Sequence, residues 1–142
     1  MTVKQLSVFV ENRPNALLEL TTFLANNNVD LRALSLADTK DFGILRLIVA
    51  DVDATLQLLK KEGYVVTSTD VLAVTMEDKP GGLVKVLKAL GEANVNIEYS
   101  YAFTSRVKDH AYTIFRVADN AVATKALLDA GIELCSQEQL HG

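Results

Sequence analysis

Hydrophobic positions along the chain follow two periodicities. Leu6, Val8 and Val10 occupy alternate positions, as do Leu72, Val74 and Met76. A period of two predicts strands that bury one face. Leu83, Val86, Leu87 and Leu90 follow the i, i+3, i+4, i+7 spacing of an amphipathic helix, and Leu17, Leu20 and Leu24, with Phe23 alongside, follow it earlier in the chain. Pro14 and Pro80 stand where these two helices should open, because proline lacks only a donor that is unpaired there. Asn26-Asn27-Asn28 and Asn94 stand where they should end, since asparagine tolerates left-handed backbone. Val29 to Asp38 and Phe42 to Ala50 read as a hairpin around Thr39-Lys40-Asp41, and Val95 to Ser105 and Asp109 to Ala118 as another. Asp51 and Asp119 are predicted N-caps. Helices follow on Val52, Leu56 and Leu59 and on Val122, Ala126 and Leu127, stopped by Gly63 and Gly131. Short strands around Tyr64 to Thr69 and Ile132 to Ser136 complete the pattern.

The pattern is written twice. Glu11-Asn12-Arg13-Pro14-Asn15-Ala16-Leu17 recurs in type as Glu77-Asp78-Lys79-Pro80-Gly81-Gly82-Leu83, an offset of 80 − 14 = 66. Asn28-Val29-Asp30-Leu31 recurs as Asn94-Val95-Asn96-Ile97 at the same offset, and Val49-Ala50-Asp51 as Val117-Ala118-Asp119 at 117 − 49 = 68. The two-residue slip falls between positions 31 and 49, where a hairpin turn tolerates insertion. Each copy reads strand, helix, strand, strand, helix, strand, the ferredoxin-like split arrangement. The expected fold is therefore α+β: two tandem ferredoxin-like units, residues 1–69 and 70–142, each an antiparallel sheet with both helices on one face. Asp70 alone is expected to divide the last strand of one copy from the first strand of the next.

Composition narrows the function classes. The chain has 142 residues, a length that by itself suggests one domain, and the repeat replaces that estimate with two small ones. Its 14 Lys+Arg against 18 Asp+Glu give a net charge of −4, without the basic stripe that phosphate backbones require. No apolar run approaches the roughly 18 residues of a membrane span, and the N-terminus does not read as a secretory signal. Cys135 is the only cysteine, so a reducing, cytoplasmic setting is expected. His110 and His141 lack partners at metal-ligand spacing, Cys135 lacks an adjacent base, and no nucleotide-binding or nucleophile-elbow motif occurs. Catalysis, metal and cofactor are all expected to be absent. Tyr99, Tyr101 and Phe103 share one strand face, and the matched positions of the first copy, Ala33, Ser35 and Ala37, are small. Arg46 and Arg116 fall on the face opposite the helices, which should be covered by a partner sheet or by the other copy.

The loop between the first strand and first helix of each copy carries the candidate chemistry. Helix-start amides are unpaired and bear partial positive charge, and Gly81-Gly82 would let a carboxylate or phosphate come close. Read by spacing alone, the same residues also make a plain tight turn. Glu-Asn-Arg-Pro-x-x-Leu and Asp-Lys-Pro-Gly-Gly-Leu after an alternating strand, with Asn-Val-Asp-Leu and Asn-Val-Asn-Ile opening the second strand, resemble the signature of the ACT domain over nearly the whole chain, as two tandem copies.

The resemblance implies a small-molecule regulatory module. ACT domains usually bind a free amino acid at the interface of two domains packed side by side into a continuous sheet of about eight strands. They regulate an amino-acid-metabolism enzyme attached to or associated with them. Carried over by position, the ligand-binding residues are Asn12, Pro14, Asn15, Ala16 and Leu17 in the first loop and Asp78, Pro80, Gly81, Gly82 and Leu83 in the second, with Asp30 and Asn96 reaching across from the neighbouring domain. Crosswise pairing gives one site from Asn12 with Asn96 and another from Asp78 with Asp30. The first suits a zwitterion better, because asparagine both donates and accepts. The second has the better glycine loop, since Asn15 stands where the family has glycine. The expected protein is a stand-alone, cytoplasmic homodimer that senses a free amino acid and binds neither nucleic acid nor membrane. The alternative is a structural or oligomerisation module, or a non-catalytic enzyme subunit, whose ligand sites have decayed.

Overall fold

A computed structural model describes residues 1–38, 41–103 and 110–140. The elements follow the predicted order: β1 (Val3–Glu11), α1 (Ala16–Asn26), β2 (Leu31–Asp38), β3 (Phe42–Val49), α2 (Val52–Glu62), β4 (Val66–Glu77), α3 (Gly82–Glu92), β5 (Ile97–Ala102), β6 (His110–Val117), α4 (Asn120–Asp129) and β7 (Leu134–Cys135). The repeat is visible element by element. β2 and β5 begin 97 − 31 = 66 residues apart, and β3 and β6 begin 110 − 42 = 68 apart, so the two extra residues lie in the second hairpin turn. Both copies also carry a register shift at the matched point, Leu31/Ala33 and Ile97/Tyr99. The centre of the first hairpin turn, the residues between Ala102-Phe103 and His110, and His141 lie outside the described residues.

One strand serves both copies. The segments read separately as Tyr64 to Thr69 and Leu72 to Met76 form the continuous twelve-residue β4, with Asp70 inside it. Its first half pairs with β1, from Val8↔Val66 to Val3↔Val71, and its second half with β6, from Leu72↔Phe115 to Glu77↔His110. β7 pairs at Ala73 and Val74. The seven strands run β2-β3-β1-β4-β6-β5, with β7 beside β4. A polar residue in a strand costs little where its side chain stays wet, and Asp70 is exposed and bonded to Lys4 Nζ at 3.0 Å. Its carbonyl accepts from the Arg116 and Asn120 side chains.

The sheet curls so that its helix-free faces cover each other. Leu6, Val8, Val10, Leu45 and Leu47 pack under α1 and α2 against Leu20, Leu24 and Leu59. Leu72, Val74, Phe115 and Val117 pack under α3 and α4 against Val86, Leu90 and Leu127. A third cluster fills the space between the halves: Val3, Ala33, Ile48, Val71, Ala73, Ile114 and Cys135, with Tyr101, Phe103 and Tyr112 packed on it. Each aliphatic side chain fully buried in these clusters stabilises the fold by about 1.5–3 kcal/mol. The face carrying Arg46 is thus covered by the other copy, and Arg46 lies 3.7 Å above the Tyr99 ring. The pairing of large with small is physical: Ala33 of β2 bridges Phe103, leaving room for the β5 aromatics.

Candidate functional site

The two proline loops adopt the same backbone by different residues. In the first, Ala16 N–H bonds the Arg13 carbonyl at 3.3 Å, and in the second Gly82 N–H bonds Lys79 at 3.0 Å. Between them stand a proline and a left-handed residue, Asn15 at φ 69° and Gly81 at φ 86°. Proline followed by positive φ inside an i→i+3 bond is a type II turn. Pro14 and Pro80 therefore occupy turns, and the helices open two residues later at Ala16 and Gly82, correcting the placement of the prolines at the first helical position. Asn15 preserves the turn because asparagine tolerates this region. The first amides of each helix beyond the turn, Leu17 and Leu18 in one copy and Leu83 and Val84 in the other, have no partner among the described residues. At Gly82 a Cβ would collide with the Glu77 carbonyl oxygen.

Side chains separate the loops. In the first, Arg13 spans the turn: its Nε lies 2.8 Å from Glu11, its terminal nitrogen 2.8 Å from Glu19, and it also reaches the Pro14 carbonyl. Hydrogen bonding to Arg13 holds the Glu19 carboxyl below its ordinary range. In the second, Lys79 pairs with Glu77, which raises its pKa, and the position matching Glu19 is Lys85. Lys85 forms no ion pair among the described residues. Here a cavity of about 400 Å³ opens, lined by Thr75, Met76, Glu77, Lys79, Gly81, Gly82, Lys85, Val86, Gly131, Ile132 and Glu133. It borders the stretch of β4 that continues past β7. Lysines and loop amides suit a carboxylate, and Glu77 and Glu133 suit an ammonium, so the cavity offers both charges of a zwitterion.

The cross-strand residues lie elsewhere. The Pro14 loop follows Glu11, beyond the Val66 end of β4, while the Pro80 loop follows its Glu77 end, so the two loops sit at opposite ends of the shared strand. Asp30 lines a different cavity, also about 400 Å³, with Asn27, Asn28, Asp51 and Thr55, and pairs with Arg32 at 3.6 Å. Asn96 is exposed before β5, its carbonyl accepting from Ala118 N–H at 3.4 Å, and its side chain makes no bond to Asn12. Asn12 and Asp78 are exposed in their turns. Lys85, Glu133 and Thr75 were not singled out by sequence reading; comparing Lys85 with Glu19 across the 66-residue offset would have exposed the charge reversal. Cys135 is buried, and burial pushes its thiol pKa up, away from nucleophilic thiolate. Among the described residues, no group of three His, Cys, Asp or Glu gathers, and no helix is long and apolar enough to cross a membrane.

Two ferredoxin-like units sharing a strand, each with a proline turn into its first helix, define the class of fold. The chain belongs to the ACT domain pair family, whose model matches residues 1–141. A solved structure of protein BT0572 from Bacteroides thetaiotaomicron is 36% identical, with TM-score 0.91 over 99% of this chain and 96% of that one. The regulatory subunit of aspartate kinase from Thermus thermophilus, ligand-free, shares the fold with TM-score 0.64 at 14% identity over 89% of this chain and 91% of that one. The corresponding subunit from Thermus flavus has TM-score 0.60 at 14% identity over 90% and 92%. No curated protein matches the sequence.

Proposed function

We propose that this ACT domain pair is a regulatory protein that binds a free amino acid in the cavity beside Gly81 and Gly82. The observation that carries the reading is the cavity itself, lined by Lys79, Lys85, Glu77 and Glu133 beside Gly81 and Gly82 at the start of α3. The ligand carboxylate lies toward Gly81, Gly82 and Lys85, and its ammonium toward Glu77 or Glu133. This reverses the preference for Asn12 with Asn96, because Arg13 spans the first loop. The loops sit at opposite ends of β4, so any side-by-side domain covering the cavity comes from a second chain, which makes the working protein a homodimer. The output is contact with an enzyme of amino-acid metabolism in the cytoplasm. Support for that step is that structurally similar pairs are described as regulatory subunits of aspartate kinase.

The Arg13-spanned first loop favours a second reading, in which that loop is purely structural and only one site per chain responds. A thermal-shift screen against the common amino acids at 10 mM tests both readings. A ligand with Kd of about 1 mM stabilises by about 1.4 kcal/mol, a readable shift. The shift is expected to vanish in Gly81→Asn and Lys85→Glu, which copy the first loop, and to persist in Asn12→Ala. If no amino acid shifts the wild type, the sensing reading fails; if Asn12→Ala alone abolishes the shift, the site is the other loop.

A further inference from the structure

The two halves meet along two seams of different construction. On one side β4 passes between them, with continuous backbone ladders to β1 and β6. On the other, the outermost strands β2 and β5 are joined, among the described residues, by a single backbone bridge from Ala33 of β2 to Phe103, one residue past the end of β5. Side chains hold that side. Gln5 of β1 is fully buried, its amide nitrogen donating to the Tyr99 hydroxyl at 2.8 Å and to the Ser7 hydroxyl at 3.1 Å. The Tyr101 hydroxyl donates to the Gln5 carbonyl oxygen at 2.7 Å, and Arg46 covers the Tyr99 face.

We infer that the β2–β5 seam is the line along which the molecule opens, with β4 as the hinge and Gln5 as the latch. Separating the halves at β4 would strip whole ladders of backbone hydrogen bonds. Separating them at the seam breaks one bridge, the packing of Ala33 and Ile48 against the inner apolar cluster, and a polar cluster whose amide, hydroxyls and guanidinium can all be rehydrated, while every backbone ladder stays intact. Such a buried network holds firmly when complete, and loses its grip when one member is removed and its partners are left unpaired. Opening presents Tyr99, Tyr101, Arg46 and the seam side of the inner cluster, Ala33 and Ile48, to solvent while the two helix-covered cores stay intact.

Amide hydrogen exchange on the full chain tests this, comparing wild type with Gln5→Leu, which keeps the side-chain bulk, and with Tyr101→Phe, which keeps the ring. Amides of β2 and β5 are expected to exchange about tenfold faster in both variants, with β1, β4 and β6 changed less than about threefold. Thr113→Val, which removes a buried hydroxyl on the helix-facing side, serves as control and should not single out the seam. An oxidised Ala33→Cys/Phe103→Cys pair, whose Cα atoms are bridge partners, should slow seam exchange below wild type. Uniform acceleration across all strands in Gln5→Leu, or no slowing by the cross-link, would overturn the latch.

Discussion

Single residues decide which loop stays open. Position 19 is glutamate and its counterpart 85 is lysine, so one loop closes on Arg13 while the other keeps a cation with no ion pair among the described residues. The Arg13–Glu19 pair is exposed, so its effect is on loop order more than on global stability. Its pH dependence has a definite sign. Because Glu19 has its pKa lowered in the folded protein, from an ordinary value of 4.5, the pairing contributes fully above that value and is lost as pH falls through the lowered one. The terminal guanidinium N–H resonances of Arg13, which face Glu19, should therefore lose their protection from exchange as acidification passes through the lowered Glu19 pKa, whereas the Leu20 and Leu24 methyl resonances keep their folded positions through the same step. The proline motif was legible as sequence because a turn needs particular residues at fixed spacing. The side chains that line the cavity were less so: Glu133 belongs to a segment that only the fold brings beside Gly82, and Lys85, on the same helix as Gly82, reads in isolation as an ordinary exposed helix lysine.

Elements were legible where a local device defines them. Asp51 caps α2 by accepting from Ala54 N–H, and Asp119 caps α4 by accepting from Ala121 and Val122 N–H. Asp119→Ala should destabilise the chain by about 1 kcal/mol in urea unfolding, through loss of the cap. Asn28 and Asn94 take the left-handed backbone at φ 59° and 56° after α1 and α3, as do Gly63 and Gly131 after α2 and α4. Helix faces were read less sharply. Leu83, Leu87 and Val122 match the spacing yet are 43%, 39% and 45% exposed, and the buried lines run through Val86 and Leu90 and through Ala123 and Leu127. The reason is width: a spacing rule accepts a broad apolar stripe, but only its centre meets the sheet. The strand break expected at Asp70 is absent for a similar reason. An exposed charge looks like a break in a hydrophobic pattern, and backbone pairing is indifferent to it.

At the scale of the molecule, the open face was expected to be covered by a partner sheet or by the other copy, and folding the chain onto itself supplies the cover. Sequence showed the asymmetry of aromatic β5 and small β2 without its cause, because the cause is a contact 70 residues apart, as in the bridge 103 − 33. We propose residues 1–69 and 70–142 as the two units, meeting within β4. Residues 1–69 alone would leave Val3, Gln5, Ala33 and Ile48 uncovered. That fragment is expected to bind a hydrophobic dye and to self-associate in sedimentation, whereas the whole chain does neither to the same degree.

The shared strand also fixes a parity. Val66, Leu72 and Val74 all face helices, while Val71 and Ala73 face the inner cluster, so even-numbered positions share one side of β4 across both halves. An ordinary linker would absorb one added residue. Here one residue inserted at Asp70 would send every later side chain to the opposite side, turning Leu72 and Val74 inward and their helices with them. Two inserted residues would restore the sides and displace the second half along the strand by about 6.6 Å. The distance between the two halves is thus counted in even steps, and the length of the chain between the two prolines is part of the architecture itself.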